Sequence, residues 1–531
     1  MEQNFWRKEI GEFFLIFLLF ALLSIQTLAV LFDADGWPMA HEAGTFAMRT
    51  LITASHYKFH DFFPIYSSAD NYNFGSPFLA FYHKLFYAVA ATLFLIFSDI
   101  KIALAAAVWI FLMIGAGGIY GALREIKLSK ISAICGGIFL IFANYTVTNW
   151  LVRGAMAEFS AAMLIPITLK YFLRMMRKEK INHGLAICLA LLFYAHSVIF
   201  FYFALFLFLA ALVVLRQKFF ALIFNKSAIS PIALFFILCL PNLWVIFSFW
   251  SEYDLSLINS REYDPAIQFH PFYDYFYWNR WRYGLSFVGI NCQIDLGLII
   301  GIFVALIVIF WQKKFEILSA KNLASILPLL FILLLCIILQ MPLSAFFYEH
   351  FSAAKLIQFP WRLLAIATPL LIIINFFLIE KTFAPKTKKI LILFCTALMF
   401  IFCGAFAAVR YYYIPLYNNL ADYKIISFNA FGEYVPRKLI HENMENAFAK
   451  IAAHNLEQGC QLTSPHLLEE VAIVKFDFDC QKTAQITLPL FITKFHKISK
   501  PCDENEDWCK ITLAAGASHI EVEMPNLLSL F

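Results

Sequence analysis

Charge is scarce in this chain. Only 15% of its 531 residues are Asp, Glu, Lys or Arg, and the formal net charge is +5. So small a surplus excludes the dense basic face that nucleic-acid binding requires. Two spacing patterns are also missing. With no C-x-x-C among the 11 cysteines, a four-cysteine zinc site is disfavoured, and with no H-x-H the histidines show no ligand pattern. No small-residue cleavage site precedes Asp33, so the first apolar run, 13 to 32 after Arg7 and Lys8, is expected to be retained as a helix rather than removed.

What fills the space is apolar. Hydrophobic residues make up 61% of the chain, 61 of them Phe, against the 45–50% typical of soluble domains. Mean hydropathy is +0.72. The expectation is a mostly α-helical, polytopic membrane protein embedded in a lipid bilayer. Runs of spanning length lie at 13–32 and near 101–123, 131–148, 159–173, 229–249, 295–311, 325–341, 362–380 and 389–409, and 182–215 is long enough for two helices meeting at His196. Counted by the ~20-residue rule these give about 11 spans.

The basic clusters orient them. If the apolar stretch 77–98 lies along the surface or re-enters, then Arg124/Lys127/Lys130, Arg174/Arg177/Lys178/Lys180, Arg216/Lys218, Lys313/Lys314 and Lys381/Lys386/Lys388/Lys389 all face the cytoplasm. His83 and Lys84 within 77–98 support that choice, since a charge at the bilayer centre costs at least ~2.5–3.5 kcal/mol. The amino terminus is then cytoplasmic in the inner (plasma) membrane. Residues 33–100, 149–158, 250–294, 342–361 and everything after about 410 face outward. The domains expected are a transmembrane part, 1–409, and a small β-rich extracytoplasmic domain, 410–531, in which "VAIVKFDFDC" and "HIEVEMP" alternate as strands do. Its Cys460, Cys480, Cys502 and Cys509 can form two disulfides in any of three pairings.

The polar chemistry gathers on the outer side. In "LFDADGWPMAHEAGTFAMRT", Asp33 and Asp35 stand where the first helix meets water. A short helix begun after Pro38 is expected to carry His41, Glu42 and Arg49, with Glu42 and Arg49 seven apart on one face. A carboxylate beside a lipid boundary is partly desolvated and suited to accept a proton. "NWLVRGAMAEFSA" supplies Arg153 and Glu158, and "LIQFPWRLL" supplies Gln358, Trp361 and Arg362. Two arginines near carboxylates at one membrane level suit a lipid-linked phosphate, because guanidinium grips phosphate bidentately. The bland alternatives are solvated loop charges and interfacial anchors. "HPFYDYFYWNRWRYG", 270–284, suits either sugar stacking, an interfacial lid or an aromatic belt.

The order of an apolar first helix, an outer loop with Asp and His, "NYNFGSPFLAFYHKLFY", "VRGAMAEFSA", "IQFPWRLL" and a late "GEYVP" resembles a bacterial membrane family labelled 6-pyruvoyl-tetrahydropterin synthase-related membrane protein. More distantly the layout resembles the GT-C superfamily of glycosyltransferases, which use polyprenyl-phosphate sugars. The resemblance implies a GT-C-like fold and a first-loop catalytic base, for which Asp35 matches best by position, with Asp33 and Glu42 as rivals. It implies a second-loop acid at Glu158, with Arg153 as phosphate partner helped by Arg49 or Arg362. The family pattern is D-x-P-x-H; here the stretch reads "DGWPMAH". The zinc chemistry in the family label finds no ligand set among the scattered His41, His56, His60 and His83.

The function so implied is transfer of a sugar from a polyprenyl-phosphate donor to an envelope glycan, lipid or protein on the outer face. The cofactor is unknown: a divalent metal, Mg or Mn, between Asp35 and Glu158 is as consistent with these residues as a metal-free site. The competing classes are a non-catalytic envelope assembly protein and a lipid-linked sugar flippase or transporter. A transporter would place ionisable residues in mid-span, and few are found there.

Overall fold

The computed structural model describes residues 2–42, 44–69, 74–250, 264–276, 292, 294–318, 323–407, 413–419, 444–464, 473–503 and 508–530. The 277–284 part of the aromatic stretch and "GEYVP" at 432–436 lie outside the described residues. The chain is mostly helical, and among the described residues six helices are long and apolar enough to cross a membrane: Phe14–Phe32, Ile100–Glu125, Met156–Lys178, Ser197–Leu215, Lys226–Trp250 and Pro360–Thr382. Two bent pairs raise the number to eight. Among the described residues the eleven spans expected from the runs are not confirmed, because several runs fold as shorter or broken helices. His183–Ala195 has 13 residues and Leu296–Trp311 has 16. Leu327–Leu339 bends by 83° into Pro342–His350.

The chain divides into two compact units, Met1–Ala43, Leu104–Cys239 and Arg261–Pro415 in one, and Gly44–Ala103, Leu240–Ser260 and Leu416–Phe531 in the other. This differs from the expected break at 409, because 44–103 groups with the tail. The reason lies within that second unit. Tyr66 is fully buried in the same core as Val474, Phe476, Phe478, Ile520 and Val522, and its hydroxyl donates to the Phe491 carbonyl at 2.8 Å. A loop whose aromatic side chain completes a β-domain core folds with that domain.

In the helical first unit, the basic clusters are answered locally. Glu125 pairs with Arg174 at 3.1 Å and with Arg177, and Glu380 accepts from Ser129 and from Lys388 at 2.8 and 2.7 Å. A two-stranded pairing, β1 (Trp37–Pro38) with β2 (Tyr413–Ile414), closes the end of the first helix. Gly36, at φ +89°, precedes it. A Cβ there would stand 2.1 Å from the Ile414 carbonyl oxygen, so only glycine fits.

In the second unit, helix Thr45–Lys58 packs with Leu85–Phe97. The stretch 77–98 is broken at Tyr82–Lys84 into Phe78–Phe81 and a 13-residue helix. At 1.5 Å per residue that helix is ~20 Å long, short of a ~30 Å hydrocarbon core. The Lys84 ammonium donates to the Leu79 carbonyl and lies 5.2 Å from the Phe63 ring. In the tail, β3 (Cys460–Ser464), β4 (Ile473–Cys480), β5 (Ala484–Thr487), β6 (Lys497–Ile498), β7 (Lys510–Leu513) and β8 (Gly516–Glu523) form an antiparallel sheet in the order β3-β4-β8-β6, with β5-β7 as a separate pair. Along β4 alternate residues are buried, as the sequence alternation predicts. The disulfides are Cys460–Cys480, directly opposite across β3 and β4, and Cys502–Cys509.

Candidate functional site

The site is built on a helix that breaks. Lys130–Phe142 stops at Ala143, whose extended backbone turns the chain by 41° before it resumes at Asn144. The new helix start exposes unpaired N–H groups. The Asp295 carboxylate caps it, both oxygens accepting from the Asn144 amide at 2.9 and 3.2 Å. The segment then widens into a π-helical turn, Thr148–Arg153, of the kind found preferentially at functional sites. Gly154, at φ +68°, ends it in the left-handed conformation that glycine adopts without penalty. Two residues later Met156–Lys178 begins, with Glu158 in its first turn.

That sharp reversal makes residues five apart face each other. The Arg153 Nη1 donates to Glu158 Oε1 at 2.6 Å and to Asn149 Oδ1 at 2.5 Å. Tyr145 donates to the same carboxylate oxygen at 2.8 Å. On the other side Arg362 Nε stands 3.4 Å from Glu158 Oε2. The Arg362 Nη1 donates to Gln358 Oε1 at 2.8 Å. The Arg153 guanidinium lies 4.6 Å above the Trp361 ring, which stacks on Phe359. Glu158, Arg153 and Arg362 are 2%, 6% and 15% exposed. Removing charges from water is costly unless they are paired, so three buried charges imply a connected network.

The opening loop is bonded to this cluster through its backbone. His41 N–H donates to the Val152 carbonyl at 3.0 Å, and Glu42 N–H donates to the Arg153 carbonyl at 2.9 Å. Trp37, fully buried, meets Trp150 edge-on at 6.5 Å. The charge of half-buried Glu42 acts on both Arg153 and Arg362. With two guanidiniums against Glu158 the buried cluster carries a surplus positive charge, which Glu42 approaches from the loop. Two further donors in the π-turn, Asn149 Nδ2 and Trp150 Nε1, are buried without a hydrogen-bond partner among the described residues. Surplus positive charge beside unsatisfied donors favours an anion rich in oxygen.

Several sequence expectations change. His41 and Glu42 do not ride the same helix as Arg49: they occupy a turn, and the helix begins at Thr45, after Gly44 at φ +80°. Arg49 groups with the second unit, where aromatic faces receive its charge. Its guanidinium lies 4.0 Å from Tyr82 and 4.7 Å from Phe78, and Nη1 is 3.5 Å from the Tyr87 hydroxyl. Asp33 and Asp35 are both exposed. Glu158, the carboxylate considered as a partner of Asp35 for a divalent metal, is engaged by two guanidiniums instead. Among the described residues no group of three His, Cys, Asp or Glu side chains is arranged to hold a metal ion.

Other partners went unread in the sequence. Tyr145, Asn149 and Arg153 follow at four-residue steps, which puts them on one helical face. That spacing in "NYTVTNWLVRG" was the available signal. Asp295 carried none, since only the fold brings it to Asn144. His196 does mark the break between two helices: it ends one and caps the next, its Nδ1 accepting from the Ile199 amide at 3.2 Å.

The fold and cluster define a class: a multi-pass helical membrane protein with a buried arginine-rich site and a disulfide-bonded β-domain. Comparison of the chain with models of known protein families finds no match, and neither does comparison with curated proteins.

Proposed function

We propose that the protein is a membrane glycosyltransferase that takes a sugar from a polyprenyl-phosphate donor and passes it to an envelope glycan, lipid or protein on the outer face of the membrane. The observation that carries this is the pair of buried guanidiniums, Arg153 and Arg362, braced on one carboxylate with charge left over. A lipid-linked phosphate brings the missing anion from the bilayer side, so no nucleotide is required. Glu158, with both oxygens held by cations, positions the arginines and is not the base. Glu42, bonded through its amide to the Arg153 carbonyl, is better placed than exposed Asp35 to take the proton of the attacking hydroxyl. The positive-inside pattern and the disulfides fit this orientation.

The test uses the full chain in nanodiscs with undecaprenyl phosphate as the probe. Native mass spectrometry should show one bound lipid phosphate, and Arg153→Lys and Arg362→Lys should each weaken it by about tenfold, because lysine cannot reproduce the bidentate grip. Undiminished binding in both variants would remove the phosphate site. If the variants lower thermal stability while the wild type binds no lipid phosphate, the cluster is a structural lock and the assembly-protein alternative stands.

A further inference from the structure

A second ionisable pair lies beside the cluster and plays no part in it. In the loop after the short turn Pro265–Ile267, the His270 Nδ1–H donates to Asp274 Oδ2 at 2.9 Å, and the two side chains are 22% and 29% exposed. The His270 ring meets the Trp361 indole edge-on at 6.4 Å. That is the indole on which Arg153 rests. The loop is fixed from both ends. Lys355 stands 3.8 Å from Asp264, Phe269 packs against Tyr348, and the Tyr275 carbonyl accepts from Ile294 N–H at 2.9 Å, one residue before the Asp295 that caps the broken helix. That hydrogen bond ties the segment carrying the dyad to the segment whose Asp295 caps the broken helix.

The charged and titratable groups around His270 are few. Asp274 shares its turn, Arg153 lies against the same indole, and buried Cys292 and Tyr275 are near Asp274. Lys355 is engaged by Asp264, and Glu349 and His350 of the neighbouring short helix are exposed. A carboxylate on Nδ1 fixes the ring orientation and leaves Nε2 as the other ring nitrogen able to meet a ligand. Phe272, Tyr273 and Phe276, neighbours of Asp274 in the chain, are all exposed.

We propose that His270, oriented by Asp274, is the acid that meets the phosphate of the lipid-linked donor and protonates it as it leaves. This rests on the glycosyltransferase reading. The acceptor oxygen bonds to the anomeric carbon while the bond from that carbon to the phosphate oxygen breaks. The electron pair goes to the phosphate oxygen and the Nε2 proton joins it. The acceptor's proton passes to Glu42, and water reprotonates the imidazole. Asp274 is a positioning residue, acting through His270.

Binding of undecaprenyl phosphate to the full chain in nanodiscs, measured from pH 6 to pH 9, separates this idea from the one beneath it. Imidazole changes charge within pH 5–8, and the lipid phosphate's own titration is common to every variant. Wild type should bind about tenfold more tightly than His270→Gln at pH 6, the worth of one charge-assisted contact, and equally at pH 9. Asp274→Asn, which releases the ring from its fixed orientation, should lose part of that advantage at pH 6. This second variant retains the imidazole should His270→Gln fold poorly. Equal affinity of wild type, His270→Gln and Asp274→Asn at every pH would overturn the role of the dyad while leaving the phosphate site intact. Absence of binding by wild type would overturn both.

Discussion

The helical unit and the β-tail dispose of charge in opposite ways. In the tail sheet, β4 and β8 alternate, so Val474, Phe476 and Phe478 point inward while Lys475, Asp477, Glu521 and Glu523 lie on the outer face. The ion pairs there are half exposed, as with His519 and Asp477 at 48% and 46%. In the helical unit the decisive charges are buried: Glu158 is 2% exposed between two arginines. An exposed pair gains little, since water already solvates its members. A buried pair is held against a large desolvation cost, and loss of one member leaves the other stranded. The tail is therefore stabilised by its apolar face and disulfides, whereas the helical unit stakes its stability on a few polar residues.

The sharpest break in this contrast comes from Glu158→Gln. It leaves Arg153 and Arg362 without the carboxylate they share, and should destabilise the helical unit by about 3–5 kcal/mol. Asp477→Asn, which removes an ion-pair partner on the tail sheet, should cost under about 1 kcal/mol. Thermal unfolding in detergent compares the two. Equal small effects would mean that the buried network carries no more energy than a surface pair.

The same contrast explains what could be read in advance. Strand alternation in "VAIVKFDFDC" tells inside from outside at every second residue, so the tail's strands and faces were legible. A helix surrounded by lipid and by other helices is apolar on all sides, and its periodicity says little about neighbours. There only the rare polar residues carry information, and Arg153, Glu158, Gln358 and Arg362 were found for that reason. Asp295 and Tyr145 were missed because their partners come together through a helix break and a π-turn. The count of eleven spans is not confirmed for a related cause: apolar length does not reveal a bend. Tyr66 in the tail core was illegible, since no local pattern signals a partner more than 400 residues away.

A smaller effect is expected from the tail's covalent tie. Cys460 and Cys480, 20 residues apart, close a loop whose cross-link should contribute about 3 kcal/mol by limiting the unfolded chain. The double change Cys460→Ser with Cys480→Ser should raise hydrogen exchange across 473–480 by roughly two orders of magnitude, with the helical unit unaffected. Faster exchange spreading through 144–178 as well would show that the two units do not keep separate stabilities, and the comparison would lose its basis.

Smallest of all is a pH effect in which buried and exposed histidines of the tail oppose each other. His496 is buried, its Nδ1 accepts from the Thr493 amide at 3.0 Å, and its ring meets Tyr66 edge-on at 4.7 Å. Burial pushes it down to about 3. Below its ordinary value near 6.5 the unfolded chain binds a proton that the folded tail refuses, so stability falls as pH drops from about 6.5 toward 3. His519 works the other way. Hydrogen bonds to Asp477 and then to Glu521 raise it, so its contribution is present at low pH and lost as pH rises through its folded value. Because His519 is half exposed, solvent and salt reduce that contribution to a few tenths of a kcal/mol at most. Burial wins. Between pH 7.5 and pH 5.5 the tail should lose about 1 kcal/mol, seen as faster exchange in 473–523, and His519→Gln should make the loss slightly greater. His496→Asn should flatten it. A tail that gains stability on acidification would show that the exposed histidine dominates, reversing the ranking of buried over exposed charge within this one domain.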